Sequence, residues 1–360
     1  RNLPQSFETE NIVYIIIEGD SKMSKVTVLG SEDIKKLITI PMALEAVEGA
    51  YAQKSRGEGG LWPMVFHEFD PGKADLDIKS GDLGQTGYFG FKLVSWFGAN
   101  PDKGLPALFG TAMLFDISTG APCALLNAGG ITAYRTGAAA AIGAKYLARA
   151  DAETLLICGC GELAPYLAAA ALYALPQLKS VKLINPHHPE KTAAAVPAIA
   201  AEVDALLAAC DAARTAEISP AAGLEAAVGE SDIIFTATPA RAPYTKSAWV
   251  KPGTHLSCIG ADMSGKEEVE PTLCAKARVF GDDAAQCFAV GECEIPHALG
   301  MLGALTAEIG EVITGAASGR TGAEDITLFD STGIALQDIA CSCALLTAAE
   351  KAGLGTAVEL

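Results

Sequence analysis

The run Gly159-Cys160-Gly161-Glu162-Leu163-Ala164 follows the apolar segment TLLIC and precedes the alanine-rich segment PYLAAAALYAL. A G-x-G-x-x-A pattern between a strand and a helix suits a pyrophosphate. Gly159 permits the tight turn, Gly161 lets the backbone approach the phosphates, and Ala164 lets helix and strand pack closely, with the helix N-terminus facing the anion. The competing reading is a glycine turn in another kind of α/β domain. The next apolar run ends at Asn185, near the point about 20 residues on where a dinucleotide fold meets the ribose. NAD-specific folds place a carboxylate there. Asn185 is neutral and does not repel a 2′-phosphate, and His187, His188 and Lys191 follow it as cationic partners. The balance leans toward NADP(H); solvated turn residues are the alternative.

Three further charged residues stand in settings that ask for a use. Lys92 lies inside the apolar strand pattern GFKLVSW, where a cation is costly unless paired or employed. A lysine snorkelling from a strand end is the plainer alternative. Arg135 falls in the expected first turn of an alanine-rich helix, where its planar fork of donors can serve a carboxylate or a phosphate. Asp262 follows the strand pattern HLSCIGA, at the carboxyl edge where open α/β sheets hold their ligands. A carboxylate there can exchange a proton with a substrate nitrogen, or merely cap a turn.

The elements that must position these groups are legible as texture. From Val26 to Phe115 a capped helix, Ser31 followed by IKKLITIPMALEAVEGAYAQ, mixes with strand patterns VFHEF, GFKLVSWF and ALFGTAMLFD. After Gly129-Gly130, helices alternate with short β-branched runs, which predicts a doubly wound parallel sheet. The C-terminal stretch STGIALQDIACSCALLTAAEKAGLG reads as a long amphipathic helix returning to the first domain. The expected fold is therefore α/β, a Rossmann-like dinucleotide-binding domain over 131–329 beside an α+β substrate-binding and dimerisation domain over 23–130 plus 330–360. Residues 1–22 carry a short apolar run, IVYIII, which lacks a basic flank and falls short of a bilayer span. With Met23 opening a more typical start, they are expected to be a non-native or disordered extension.

Composition narrows the function. The 360 residues are 50% hydrophobic, enough for about two domains and a cleft between them. A net charge of −17 provides no basic field for nucleic acid. The ten cysteines are scattered without C-x-x-C spacing, which implies reduced thiols in a cytoplasmic protein and no metal site.

Four stretches, GFKLVSWFGANPDKGLP, ITAYRTGAAAAIGAKYLA, TATPARAPYTKSAWVKPGTHLSCIGADMSGKEEVE and ITLFDSTGIALQDIA, occur in the order found in the ornithine cyclodeaminase/mu-crystallin family, which this chain resembles from about Val26 to its end. The resemblance implies a homodimer built on the first domain, and hydride transfer between a nicotinamide and a carbon bearing nitrogen and carboxylate. It implies that Lys92 binds the substrate carboxylate, that Arg135 contacts pyrophosphate and substrate with Thr136 assisting, and that Asp262 is catalytic. Lys266 and Ser331 match positions near the cofactor, although a loop lysine and an N-cap serine are common. The implied cofactor contacts also include Gly159, Gly161, Glu162, Leu163, Asn185, His187 and Thr238. Two departures concern the substrate: Met64 stands where the family carries an arginine or lysine, and Lys79-Ser80 where it often reads Met-Pro. Lys79 is expected to take the role left empty by Met64; the competing reading is that Met64 simply widens an apolar wall and Lys79 points to solvent. Ala107 and Leu163 replace a threonine and a glutamine seen in some members.

These residues predict an NAD(P)-dependent amino-acid dehydrogenase or imine/ketimine reductase acting on an α-amino or α-imino acid. An ornithine- or lysine-type cyclodeaminase is the alternative, weakened by Met64. A non-catalytic NADP(H)-binding protein like mu-crystallin is the alternative of another class, opposed by the joint presence of Asp262, Lys92 and Arg135. A 2-hydroxy acid dehydrogenase lacks its expected His-Asp pair.

Overall fold

A computed structural model describes residues 25–360, so the expectations for 1–22 lie outside the described residues. Two eight-stranded sheets organise the chain. The first contains β1 (Lys25–Leu29), β2 (Gly59–Leu61), β3 (Val65–Asp70), β4 (Ala74–Leu83), β5 (Tyr88–Phe97), β6 (Leu108–Asp116) and β7 (Pro122–Asn127), closed beyond β1 by the C-terminal strand Thr356–Glu359. Strands β3 to β7 form an antiparallel run.

The second sheet is wholly parallel. It contains β8 (Thr154–Cys158), β9 (Ser180–Ile184), β10 (Glu217–Pro220), β11 (Ile233–Thr236), β13 (His255–Cys258), β15 (Arg278–Gly281), β16 (Ala307–Glu308) and β17 (Thr327–Asp330). Its order is β10-β9-β8-β11-β13-β17-β15-β16, so the chain winds outward both ways from the β8/β11 junction, the topological switch point. Beside it, β12 (Arg241–Thr245) pairs with β14 (Glu267–Val269). Strands buried on both faces read as continuous apolar runs, and β8, β11 and β13 accordingly have almost every residue buried.

The helix expected after Ser31 divides in two, α1 (Ser31–Leu37) and α2 (Ile40–Ser55). Pro41 has no N–H for the preceding turn, and Thr39 instead caps α2 by accepting from Met42 N. Gly30, not Ser31, occupies the N-cap of α1. The helix α3 (Gly129–Leu147) is a wall shared by both sheets, its residues Ala138 to Ala144 buried in one core with Leu126 of β7 and Leu155 of β8. Small residues make that position possible. A Cβ on Gly137 would stand 2.5 Å from the Tyr166 carbonyl oxygen of α4 (Ala164–Ala174). The C-terminal helix Ala335–Ala352 packs on α2, β4 and β5.

Strand β4 escaped the sequence patterns because, although Asp75, Asp77 and Lys79 alternate with Leu76 and Ile78, charged residues occupy one whole face of its first half. Its register places Lys79 opposite Lys92 and Asp77 opposite Val94. Val65 of β3 pairs with Ile78, so continuing that register brings Met64 to the level of Lys79. Lys79 and Lys92 thus face each other across β4 and β5, and Met64 directly precedes β3.

Candidate active site

The glycine loop opens at the carboxyl end of β8. Gly159 has φ +132°, and a Cβ there would meet the Ala237 carbonyl oxygen at 2.5 Å, so the turn demands glycine. Gly161 has no heavy atom within 4 Å of where its Cβ would lie. Glu162 is exposed, Leu163 forms the N-cap of α4 and Ala164 is buried beneath it. An open, glycine-lined approach to a helix N-terminus fits the pyrophosphate of a dinucleotide.

At the end of β9, the Asn185 side-chain oxygen accepts from His187 N at 3.1 Å and His188 N at 2.9 Å. Its amide group is left as the side chain's remaining hydrogen-bonding group. The His187 ring meets Tyr244 edge-on, 5.7 Å between centroids, and His188 lies 3.3 Å from Glu190. Thr238 lies beside Gly159, but its N–H and hydroxyl both donate to Glu268 at 2.7 Å. The Thr136 hydroxyl likewise donates within α3, to Thr132 O at 2.7 Å.

Across the cleft the cations gather around Gly333 and the C-terminal helix. Lys92 is 3% exposed, and its Nζ donates to Asp338 Oδ1 at 2.9 Å. Arg135 Nε lies 3.6 Å from the same oxygen, and its Nη1 donates to Gln337 at 3.0 Å. Arg135 is in the second turn of α3, not the first, because the helix begins at Gly129. Lys79 Nζ donates to Gly333 O at 3.0 Å. Gly333 has φ +78°, and a Cβ on it would stand 2.7 Å from Arg135 Nη1, so a side chain there would displace the guanidinium.

The electrostatics follow from one carboxylate serving two cations. Burial favours neutral Asp338, yet Lys92 and Arg135 together hold its pKa below the ordinary range. Lys92 has only a share of that carboxylate, and burial brings its ammonium down to about 8. Asp338 Oδ2 and Arg135 Nε are buried without hydrogen-bond partners. Asp77, facing the cleft one rung from Lys79, also has a buried unpartnered oxygen, and burial raises its pKa.

Asp262 sits on the loop between β13 and β14, its side chain 49% exposed. Its partial burial opposes ionisation, but Lys266 paired against it, with Lys79 and Arg135 further off, keeps its pKa below the ordinary aspartate value. The carboxylate is therefore available as a proton acceptor at neutral pH. Ser331 does not cap the last helix, whose N-cap is Ile334; it is buried with its hydroxyl 3.5 Å from Asp282. Asp282 also accepts from Thr332 Oγ1 at 2.8 Å and Gly333 N at 3.0 Å, which fixes the segment beside Arg135.

The structure thus brings Lys79, Lys92, Arg135 and Asp262 to one cleft, with Lys266 beside Asp262. Met64 lies just before β3 and is 43% exposed. Sequence reasoning missed Asp338, Gln337, Gly333 and Asp282; an aspartate within the apolar run IALQDIACSC was the available signal. Of the remaining predicted residues, Gly159, Gly161, Glu162 and Leu163 lie in the glycine loop and Asn185 and His187 in the turn after β9, whereas Thr136 is within α3, Thr238 follows β11 and Ser331 lies beside Asp282.

The sequence profile of the ornithine cyclodeaminase/mu-crystallin family matches residues 24–351. The chain is 35% identical over 334 residues to alanine dehydrogenase of Archaeoglobus fulgidus, covering 92% of this chain and 98% of that protein. An archaeal alanine dehydrogenase dimer with bound NAD superimposes with a TM-score of 0.81 at 33% identity, over 94% of this chain and all of the other. The iminosuccinate reductase of Paracoccus denitrificans in complex with NAD+ superimposes with a TM-score of 0.83 at 30% identity, over 94% of this chain and 100% of that one.

Proposed function

The chain belongs to the ornithine cyclodeaminase/mu-crystallin family, and from that premise we propose that it is an NAD(P)-dependent oxidoreductase that interconverts an α-imino acid and its α-amino acid. The observation that carries this reading is the convergence of Lys79, Lys92 and Arg135 with an ionised Asp262 at the open carboxyl edge of the glycine-loop sheet. A nicotinamide bound at this edge would supply or receive the hydride.

The division of labour follows from charge. Lys92, Arg135 and Lys79 hold the substrate carboxylate; of the Arg135 guanidinium nitrogens, Nη1 donates to Gln337 and Nε faces Asp338, and Nη2 is the one directed to the substrate. Asp262 stands at the substrate nitrogen. During reduction its negative charge favours the protonated iminium, which is the better hydride acceptor. During oxidation the same oxygen receives the proton released from the amine. Lys266 keeps Asp262 ionised between turnovers. Residues 131–329 serve the dinucleotide, and 23–130 with 330–360 serve substrate and dimerisation.

We place the Asn185 amide at the ribose, with His187 nearby, so that NADP(H) is accepted and favoured over NAD(H). The aromatic outer face of the first sheet, including stacked Phe89 and Phe115 5.1 Å apart and exposed Phe69 and Phe109, supports a homodimer through this face. Among the described residues no helix is long and apolar enough to cross a membrane; a cytoplasmic location fits the unpaired cysteines.

A cyclodeaminase reading draws on Asp77, whose orphaned oxygen could receive a second substrate ammonium. One panel separates the readings: NAD(P)H oxidation with pyruvate plus ammonia or methylamine, with oxaloacetate plus ammonia, and with cyclic imines, against ammonia release from ornithine without net reduction of NAD(P), because the hydride taken in the first step of a cyclodeamination is returned to the cyclic imine in the last. Turnover in the first group is expected. Cofactor binding without turnover anywhere in the panel would favour the binding-protein alternative.

A further inference from the structure

The loop that carries Asp262 begins at Gly260 and ends at Glu268, and the same glutamate closes its neck. Glu268 is fully buried. Its Oε1 accepts from Thr238 N at 2.7 Å, Thr238 Oγ1 at 2.7 Å and the Tyr244 hydroxyl at 2.8 Å. Its Oε2 accepts from Gly260 N at 2.9 Å. One carboxylate therefore ties the segment after β11 to the segment after β13, at the sheet edge facing the cleft. Contact at the neck is close enough that a Cβ on Gly260 would stand 2.3 Å from Thr238 O and 2.6 Å from the Glu268 carboxyl group.

The far end of the loop is held in the same manner. Glu294, at the start of the short helix Glu294–Ala298, accepts from Ser264 Oγ at 2.6 Å and from Gly265 N at 2.8 Å. Asp262 and Lys266 lie between these two anchors. A buried carboxylate is costly unless its oxygens are well supplied with donors, and four donors converge on Glu268. That concentration exceeds what a turn at the protein edge needs.

We infer that Glu268, at the neck, and Glu294, at the tip, are positioning residues that fix the Asp262 loop so that the Asp262 carboxylate meets the substrate nitrogen. This inference rests on the role proposed above for Asp262. Neither glutamate touches substrate; each acts through the backbone that carries the acid–base group. Misplacing a reacting group by about 1 Å costs roughly 10²-fold in rate, which sets the expected scale. The Glu268→Gln variant preserves shape but turns an NH2 group toward a donor, so the neck must open.

The test uses the full chain with NAD(P)H and the best imine of the panel. Glu268→Gln should unfold cooperatively and bind NAD(P)H within about 3-fold of wild type, with kcat lowered by about 10²-fold and KM for the imine nearly unchanged. The isotope effect with deuterated cofactor should grow, and amide exchange should quicken in peptides covering 259–269. Glu294→Ala, which alters a half-buried tip, should show the same pattern at about 10-fold in kcat, and it carries the test if Glu268→Gln does not fold. Unchanged kcat in the folded variants, or unchanged exchange in 259–269, overturns the inference. So does loss of NAD(P)H binding with turnover of bound enzyme intact, which would move Glu268 to the cofactor site. Asp262→Asn measured alongside separates the two claims: its full activity would remove the premise, whereas an inactive Asp262→Asn beside fully active glutamate variants removes the clamp alone.

Discussion

Lys92 of β5 and Asp338 of the C-terminal helix form an ion pair 2.9 Å long with both side chains excluded from water, at 3% and 1% exposure. Arg135 leans on the same carboxylate from 3.6 Å. Two cations thus share one carboxylate, and under the proposed function a substrate carboxylate would take up the excess positive charge between them.

A pH dependence follows. The Lys92 ammonium, lowered by burial to about 8, is present below that pH and lost as pH rises through it. The free-enzyme profile of kcat/KM should therefore fall on the alkaline side near that value. Asp338→Asn removes the charge that raises the Lys92 pKa, so this limb should move to lower pH. Leaving a buried charge unpaired also costs roughly 3–5 kcal/mol, which denaturant unfolding should detect. An alkaline limb unmoved by Asp338→Asn would separate Lys92 from substrate binding.

Asp262 gives the opposite limb. Lys266, with Lys79 and Arg135, holds its pKa below the ordinary aspartate range, so the base form should persist well into acid. Lys266→Met should shift the acid limb of kcat/KM upward, because the leading cation is gone. Asp262→Asn should lower kcat by about 10²-fold or more while NAD(P)H binding survives. Wild-type turnover in the asparagine variant would reject the acid–base assignment.

What the sequence disclosed depended on how local the cause was. The glycine loop is a continuous pattern, and its turn geometry is set by Gly159 and its immediate neighbours. Lys92 stood out because a cation within GFKLVSW needs a reason. The reason, Asp338, is 246 positions away, and no local pattern connects them. Gly333 looks like an ordinary glycine until Arg135 is seen against it. Helices α1 and α2 merged in the sequence reading because their apolar periodicity runs through Thr39 and Pro41, although the proline marks the break. Strand β4 was overlooked because Asp75, Asp77 and Lys79 take the places on one of its faces where a buried strand would carry apolar side chains.

The ribose end can be tested by a single charge. Asn185 already spends its oxygen on His187 N and His188 N, so Asn185→Asp can keep those bonds while replacing the NH2 with a second, negative oxygen. That oxygen can accept from ribose hydroxyls and repels a 2′-phosphate. The ratio of kcat/KM for NADH over NADPH should rise by about 10-fold or more, about 1.4 kcal/mol. A ratio unchanged by Asn185→Asp would place the ribose elsewhere.

Lys79 tests the departure from the family pattern. Lys79 pairs with Lys92 across β4 and β5, and Met64 lies just before β3, where the register of Val65 with Ile78 extended by one residue leads to Lys79, so a cation absent before β3 can be supplied from β4. Lys79 Nζ reaches Gly333 O, within the influence of Asp262 and beside the Arg135 guanidinium, which fits a carboxylate anchor better than a solvated surface lysine. Lys79→Met should raise KM for the imino acid by the lower part of the roughly 2–5 kcal/mol lost when a desolvated charge pair is broken, because Lys79 is only partly buried. That corresponds to about 30-fold. Cofactor affinity should stay within about 2-fold, since Lys79 lies across the cleft from the glycine loop. Met64→Arg in the Lys79→Met background should recover part of the loss by returning a cation just before β3. An unaltered KM in Lys79→Met would leave Lys92 and Arg135 as the substrate anchors and turn Lys79 into a clasp for the Gly333 turn alone.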